Sequence, residues 1–290
     1  MRLLLVHGRA QEGKSSKIVE EEWMTALRRG FAGLGIGEPP DLKIDAPFYG
    51  DKLAALLTSR DLPPADDVAT RGGAADDGYA EFLEEVATQV STDDKVTHRE
   101  IENELGPGPQ TRGPENWQWV QAIIRVIDRR TPGVSSYSIG KLLRDVFVYV
   151  NDPPVRRAIN KIVAAELTDE PTVVIAHSLG TVVAYEVLRE HAGNSVTRLV
   201  TVGSPLGIRA IRRRLKTPLT MPAGVGDWYN AFDDRDVVAL YPLNADNFGI
   251  APPVKNYPFV RNHTDNRHGI DGYLDDTDVA AQIAGAIRGN

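Results

Sequence analysis

The stretch Val173-Val174-Ile175-Ala176-His177-Ser178-Leu179-Gly180-Thr181-Val182-Val183 is a β-branched apolar run that breaks at one serine and resumes at helical spacing. A run of this kind reads as a strand buried on both faces that turns abruptly into a helix. So sharp a turn holds the serine backbone in a strained conformation, and strand and helix approach each other only where the residues two before and two after it are small. Ala176 and Gly180 meet that demand. The five residues A-H-S-L-G are the pattern G-x-S-x-G with its first glycine replaced by alanine, a change that leaves the turn open.

The same alternation runs along most of the chain. Leu3 to Val6 reads as a buried strand, and Val19, Trp23, Ala26, Leu27, Phe31 and Leu34 follow at helical spacing. Leu42 to Ala46 suggests a second strand, with a short helix around Leu53 to Leu57. From about Arg60 the pattern changes to helical segments separated by Pro- and Gly-rich connections, including Gly106 through Pro114. Val146 to Val150 suits the end of a helix, although its composition also permits a strand. Strands at Val173–Ala176, Leu199–Val202, Trp228–Phe232 and Asn256–Val260 then alternate with helices at Leu179–Glu190, Leu206–Leu215 and a closing helix through Ile287. Strands alternating with helices predict an α/β fold with a mostly parallel sheet covered on both faces. The 290 residues suit a single domain, with residues 60–150 as a helical insertion.

Composition narrows the setting. Hydrophobic content of 42% and charged content of 25% are ordinary for a globular protein. A net charge of -7 opposes broad nucleic-acid binding, which requires excess Lys and Arg to neutralise phosphate. The absence of cysteine excludes disulfides, thiolate catalysis and Cys-ligated zinc. The chain enters its first strand almost at once and contains no apolar run of membrane-spanning length, so a soluble, cytoplasmic protein is expected.

In a parallel α/β sheet, ligands bind beyond the carboxyl ends of the strands, where Gly8, Ser178, Gly203, Asp236 and His268 are all predicted to fall. A serine hydroxyl becomes a nucleophile only beside a base, and that base needs an acid to fix its tautomer and stabilise its charged form. Asp236 follows the strand at Trp228–Phe232, and His268 precedes the last helix. Asp233 and Asp234 are alternative acids, and His263 is an alternative base. With His7-Gly8 after the first strand, the elbow at Ala176–Gly180, Gly203-Ser204-Pro205, Asp236-Val237-Val238 and His268 ahead of Tyr273-Leu274, the chain resembles the α/β-hydrolase superfamily, in particular bacterial serine esterases and lipase-like members. The resemblance covers nearly everything outside the insertion. It implies an α/β-hydrolase fold with a helical cap, Ser178 as nucleophile, His268 as general base and then acid, and Asp236 as the orienting acid. It also implies an oxyanion hole from the backbone N–H groups of Arg9 and Leu179, a small-molecule acyl ester or lipid as substrate, and no metal or organic cofactor.

Two other readings compete. Gly8-Arg9-Ala10-Gln11-Glu12-Gly13-Lys14-Ser15 matches the phosphate-binding pattern G-x-x-x-x-G-K-[ST] after a strand and before a helix, with Asn151-Asp152 as a possible partner carboxylate. A hydrolase fold without catalysis, used as a binding module, is the third. Trp117, Trp119, Tyr137, Phe147 and Tyr149 give the insertion an aromatic payload, to line an acyl pocket or to pack the insertion against the core. Arg209, Arg212, Arg213 and Lys216 would share one helix face, either solvated or in contact with an anionic membrane or partner.

Overall fold

The computed structural model describes residues 1–60, 62–65, 77–106, 117–130 and 139–289. Strand β1 (Arg2–Val6) leads into α1 (Ser16–Gly33), then β2 (Lys43–Asp45) and α2 (Gly50–Thr58). Helices α3 (Asp77–Thr92), α4 (His98–Leu105), α5 (Trp117–Arg129), α6 (Ile139–Asn151) and α7 (Pro153–Ala164) follow. Alternation then returns through β3 (Thr172–His177), α8 (Leu179–Glu190), β4 (Val196–Val202), α9 (Arg209–Arg212), β5 (Val225–Ala231), β6 (Lys255–Tyr257), α10 (Asp271–Leu274) and α11 (Thr277–Arg288).

All six strands are parallel, in the order β2-β1-β3-β4-β5-β6. After β1 the chain moves outward to β2 and then crosses to the other side of β1, so the order reverses between β1 and β3. That switch point opens a crevice at the strands' carboxyl ends, because the connections leaving the two strands run to opposite faces. The register Val6↔Ala176, His177↔Val202 and Val202↔Ala231 brings the ends of β1, β3, β4 and β5 level, and the segments just beyond them meet at one place.

The strands alternate their burial between two cores. Leu3, Leu5, Val173 and Ile175 face α1, α10 and α11, while Leu4, Val6, Val174 and Ala176 face the opposite layer, which includes α8 and the inserted helices. The helices between β2 and β3 therefore share a core with the sheet. Phe147 packs on Tyr79 and Phe82, Trp117 and Trp119 are buried, and the Tyr149 hydroxyl donates to Asn160 Oδ1 at 2.6 Å. These aromatics bind the insertion to its surroundings; Tyr137 and the Gly106–Pro114 connection beyond Gly106 lie outside the described residues.

One open choice resolves to helix and two local expectations need correction. Val146 to Val150 is the last part of helix α6, and Asp152 accepts from the Val155 N–H as the N-cap of α7 while pairing with Arg60. The helix expected over Leu206–Leu215 is a 3-10 turn at Pro205–Gly207 followed by only four α-helical residues, because Arg214 and Leu215 bond back three residues in a tightened turn ahead of Pro218. The basic stripe around it is largely engaged: Arg213 and Arg214 meet Glu85 on α3 and Arg209 meets Asp93 just past its end, while Arg212 donates to the Asp246 and Asn247 carbonyls. Its role here is to dock an inserted helix. Among the described residues, no helix is long and apolar enough to cross a membrane.

Candidate active site

Ser178 lies between β3 and α8 with φ 56° and ψ −132°, a backbone conformation that a side-chain-bearing residue adopts only when its surroundings hold it there. What holds it is close packing. A Cβ on Gly180 would sit 2.3 Å from the Val6 carbonyl oxygen and 2.4 Å from that of His7, so α8 rests directly on the end of β1. A Cβ on Gly8 would lie 2.8 Å from Ser178 Cβ and 3.3 Å from its Oγ, which puts the loop after β1 against the serine side chain. The first amides of α8, those of Leu179 and Gly180, have no partner within their own helix and point out of its N-terminus.

His268 and Asp236 form a buried pair, with His268 Nδ1 2.6 Å from Asp236 Oδ2. Asp236 Oδ2 also accepts from the Tyr273 hydroxyl at 2.5 Å, and Oδ1 accepts from the Val238 N–H at 2.8 Å. Burial and the Asp236 charge raise the Tyr273 pKa well above its ordinary value, so the phenol stays protonated and donates. Gly203 clears the space for the pair: with φ 59°, it has an imaginary Cβ only 2.9 Å from His268 Cε1 and 3.2 Å from Asp236 Oδ2. The following Ser204 caps the 3-10 turn and bonds Thr181 of α8 at 2.8 Å, tying the Gly203-Ser204-Pro205 segment to the elbow helix.

The other acids and the other histidine go elsewhere. Asp233 accepts from Arg235 and from the Asn262 N–H, Asp234 faces Arg261 in solvent, and His263 is exposed beside Asp275 at 2.8 Å. Asp236 and His268, which follow β5 and β6 in the chain, are thus paired beside Gly203, while Ser178 at the end of β3 lies against Gly8.

Two further histidines are held neutral by burial. The His7 pKa is pushed down to about 4 chiefly by desolvation. Its Nε2 accepts the Tyr49 N–H at 3.1 Å, so its proton must be on Nδ1, which donates to the Gly8 carbonyl at 2.8 Å. The Tyr49 hydroxyl in turn donates to the His7 carbonyl, so both sides of His7 are fastened to the segment after β2. His177 lies well below its ordinary pKa, again mainly through burial, and its Nε2–H donates to the His268 carbonyl at 2.7 Å. A folded pKa below the unfolded one means that the unfolded chain binds more protons, so this contribution is complete above the unfolded pKa and is lost as pH falls through the folded value. Stability should therefore decline as pH drops from 6.5 towards 4, by about 3 kcal/mol for His7 alone. Urea midpoints that stay flat across that window would contradict the assignment.

The phosphate-loop reading finds its key groups occupied. The Gly13 N–H donates to Asp51 Oδ1 at 2.7 Å, Lys14 Nζ pairs with Glu22 at 2.6 Å, and Ser15 serves as N-cap of α1. The apolar segment proposed to carry its partner carboxylate is helical. Among the described residues, no group of three or more His, Asp or Glu side chains is arranged to hold a metal ion.

No family model, curated protein or solved structure matches this chain. The site's own geometry therefore carries the functional argument.

Sequence reasoning missed Tyr273, Tyr49 and Asp145 as parts of this region. Tyr273 was visible only as a neighbour of Leu274, and Tyr49 as part of a turn. Asp145 had one signal, an acid in the middle of the otherwise apolar buried side of α6. Replacing Tyr273 with Phe removes a donor from a buried carboxylate, which costs about 1–3 kcal/mol of stability. Should Asp236 orient a catalytic histidine, turnover of substrate falls about tenfold with KM little changed, since Tyr273 would position an acid and not reach the substrate. A change confined to KM would rule out this role.

Proposed function

We propose that the protein is a serine hydrolase of α/β-hydrolase fold that cleaves carboxylic esters of small-molecule or lipid type through an acyl-Ser178 intermediate. The observations that carry this reading are the buried His268–Asp236 pair at 2.6 Å and, separately, Ser178 held at φ 56° in a strand-to-helix elbow. A base with a fixed tautomer and an exposed-backbone helix start next to one hydroxyl are the components that acyl transfer requires. Their order along the chain and their positions after successive parallel strands support the same reading.

In this mechanism Ser178 Oγ attacks the ester carbonyl carbon while His268 Nε2 takes the hydroxyl proton. Asp236, held by Tyr273 and Val238, accepts from His268 Nδ1 and stabilises the imidazolium. The oxyanion is received by the Leu179 and Arg9 amides, a pair of donors of which each is worth roughly 3 kcal/mol in the transition state. Collapse of the tetrahedral intermediate breaks the bond to the alcohol oxygen, which takes the proton from His268. Water then attacks the acyl carbon while His268 takes its proton, and collapse of the second tetrahedral intermediate breaks the bond to Ser178 Oγ, which takes that proton from His268 as the acid leaves. A cleft of about 570 Å³ on the α1 side has Gly8, Trp23, His177 and His268 in its lining.

The test is labelling by a fluorophosphonate probe in wild type and in Ser178→Ala, with p-nitrophenyl acetate hydrolysis in parallel. Labelling and turnover should both vanish in the variant. Absence of both in folded wild-type protein, with magnesium-dependent ATP binding lost in Lys14→Ala, would replace this reading with the phosphate loop.

A further inference from the structure

We infer that the Arg9 side chain and Asp145 are positioning residues through which the inserted helix α6 fixes the backbone of the loop after β1, and with it the Arg9 amide; this rests on the serine-hydrolase reading. Arg9 directly follows Gly8, whose backbone lies against Ser178. The Arg9 side chain is buried, with Nε donating to Asp145 Oδ2 at 2.6 Å. The other carboxylate oxygen accepts from Arg144 Nε at 2.9 Å and Nη2 at 2.7 Å. Two guanidinium groups thus hold one carboxylate, itself only 1% exposed, in a single orientation.

A buried ion pair gives little net stability over an apolar contact of the same shape, so fixing a geometry is its better-supported use. The loop needs such fixing. Ala10, next in sequence, has φ 56°, in the left-handed region that favours glycine, so the loop backbone is held away from its relaxed form. His7 anchors one side of the loop through Tyr49, and Arg9 anchors the other through α6. Without the second anchor the loop can relax around Ala10, and a displacement near 1 Å at an oxyanion donor lowers the rate by about 100-fold.

A cavity of about 160 Å³ adjoins the pair, lined by Arg9, Ala10, Gly50, Leu57, Arg144 and Asp145. Removing the arginine side chain would enlarge it into a slot for a free guanidinium ion. In Arg9→Ala, kcat for p-nitrophenyl acetate should fall about 10- to 100-fold with KM within about twofold, and affinity for a trifluoromethyl ketone should fall by the same factor as kcat/KM. Millimolar guanidinium chloride should restore much of that kcat in Arg9→Ala and none in Arg9→Ala combined with Asp145→Asn. Arg9→Lys, which keeps the charge but lacks the planar fork, should fall between wild type and Arg9→Ala and serves if the alanine variant does not fold. Wild-type kcat in a folded Arg9→Ala or Arg9→Lys protein, or a loss that appears only in KM, overturns the inference while Ser178-dependent turnover stands. Failure of Ser178→Ala to abolish turnover would instead remove the hydrolase reading and this inference together.

Discussion

Ser178→Gly is expected to abolish ester hydrolysis and yet to give a protein more stable than Ser178→Ala by about 1 kcal/mol. At φ 56° and ψ −132° a Cβ imposes strain of about 1–3 kcal/mol, which glycine does not carry. Glycine gives back about 0.4–1 kcal/mol through the greater freedom of its unfolded chain, leaving a net gain near 1 kcal/mol. Alanine keeps the Cβ and loses only the hydroxyl, so the difference between the two variants isolates the backbone. Under the proposed mechanism both lose at least about 10⁴-fold in kcat, because each lacks the Ser178 hydroxyl that attacks the ester. Thermal melts and p-nitrophenyl acetate assays on the pair decide it. Equal melting temperatures would mean that the elbow is not strained in solution.

Gly180→Ala should be among the most damaging single-methyl additions to the fold. Its Cβ would meet two backbone carbonyl oxygens, Val6 at 2.3 Å and His7 at 2.4 Å, and neither can yield by a rotamer change. Helix α8 would have to lift from β1, at a cost of about 3 kcal/mol or more. Gly193→Ala, where an added Cβ meets nothing within 4 Å, should stay within about 0.5 kcal/mol of wild type. The comparison is made by urea midpoints. A Gly180→Ala protein as stable as Gly193→Ala would show that the approach of α8 to β1 is looser than described.

These contacts separate what the sequence reveals from what it conceals. β1 and β3 are buried along their whole length and β4 over its last four residues, so they appear as apolar runs and were legible together with the small residues flanking Ser178. Ser178 follows such a run directly, whereas β6, ahead of His268, is half-exposed and carries no such signal. Pairings between distant segments were not. Arg9 and Asp145 are 136 residues apart, and Asp236 and Tyr273 are 37 apart, and no local periodicity links them. The basic stripe at Arg209–Lys216 was legible as a pattern, but its partners Glu85 and Asp93 lie on α3 and just past its end, and a cation's partner cannot be read from its own helix. The short α9 escaped because helical spacing persists into residues that the fold closes with a tight turn.

The two-sided sheet also sets which segments must meet. The face carrying Leu3, Leu5, Val173 and Ile175 is closed by α1 together with α10 and α11, whereas the opposite face is buried against α2 to α8 together with α9 and the segment from Val237 to Val254. Helix α1 thus completes its core only with helices far from it along the chain, a long-range closure of the kind that slows folding.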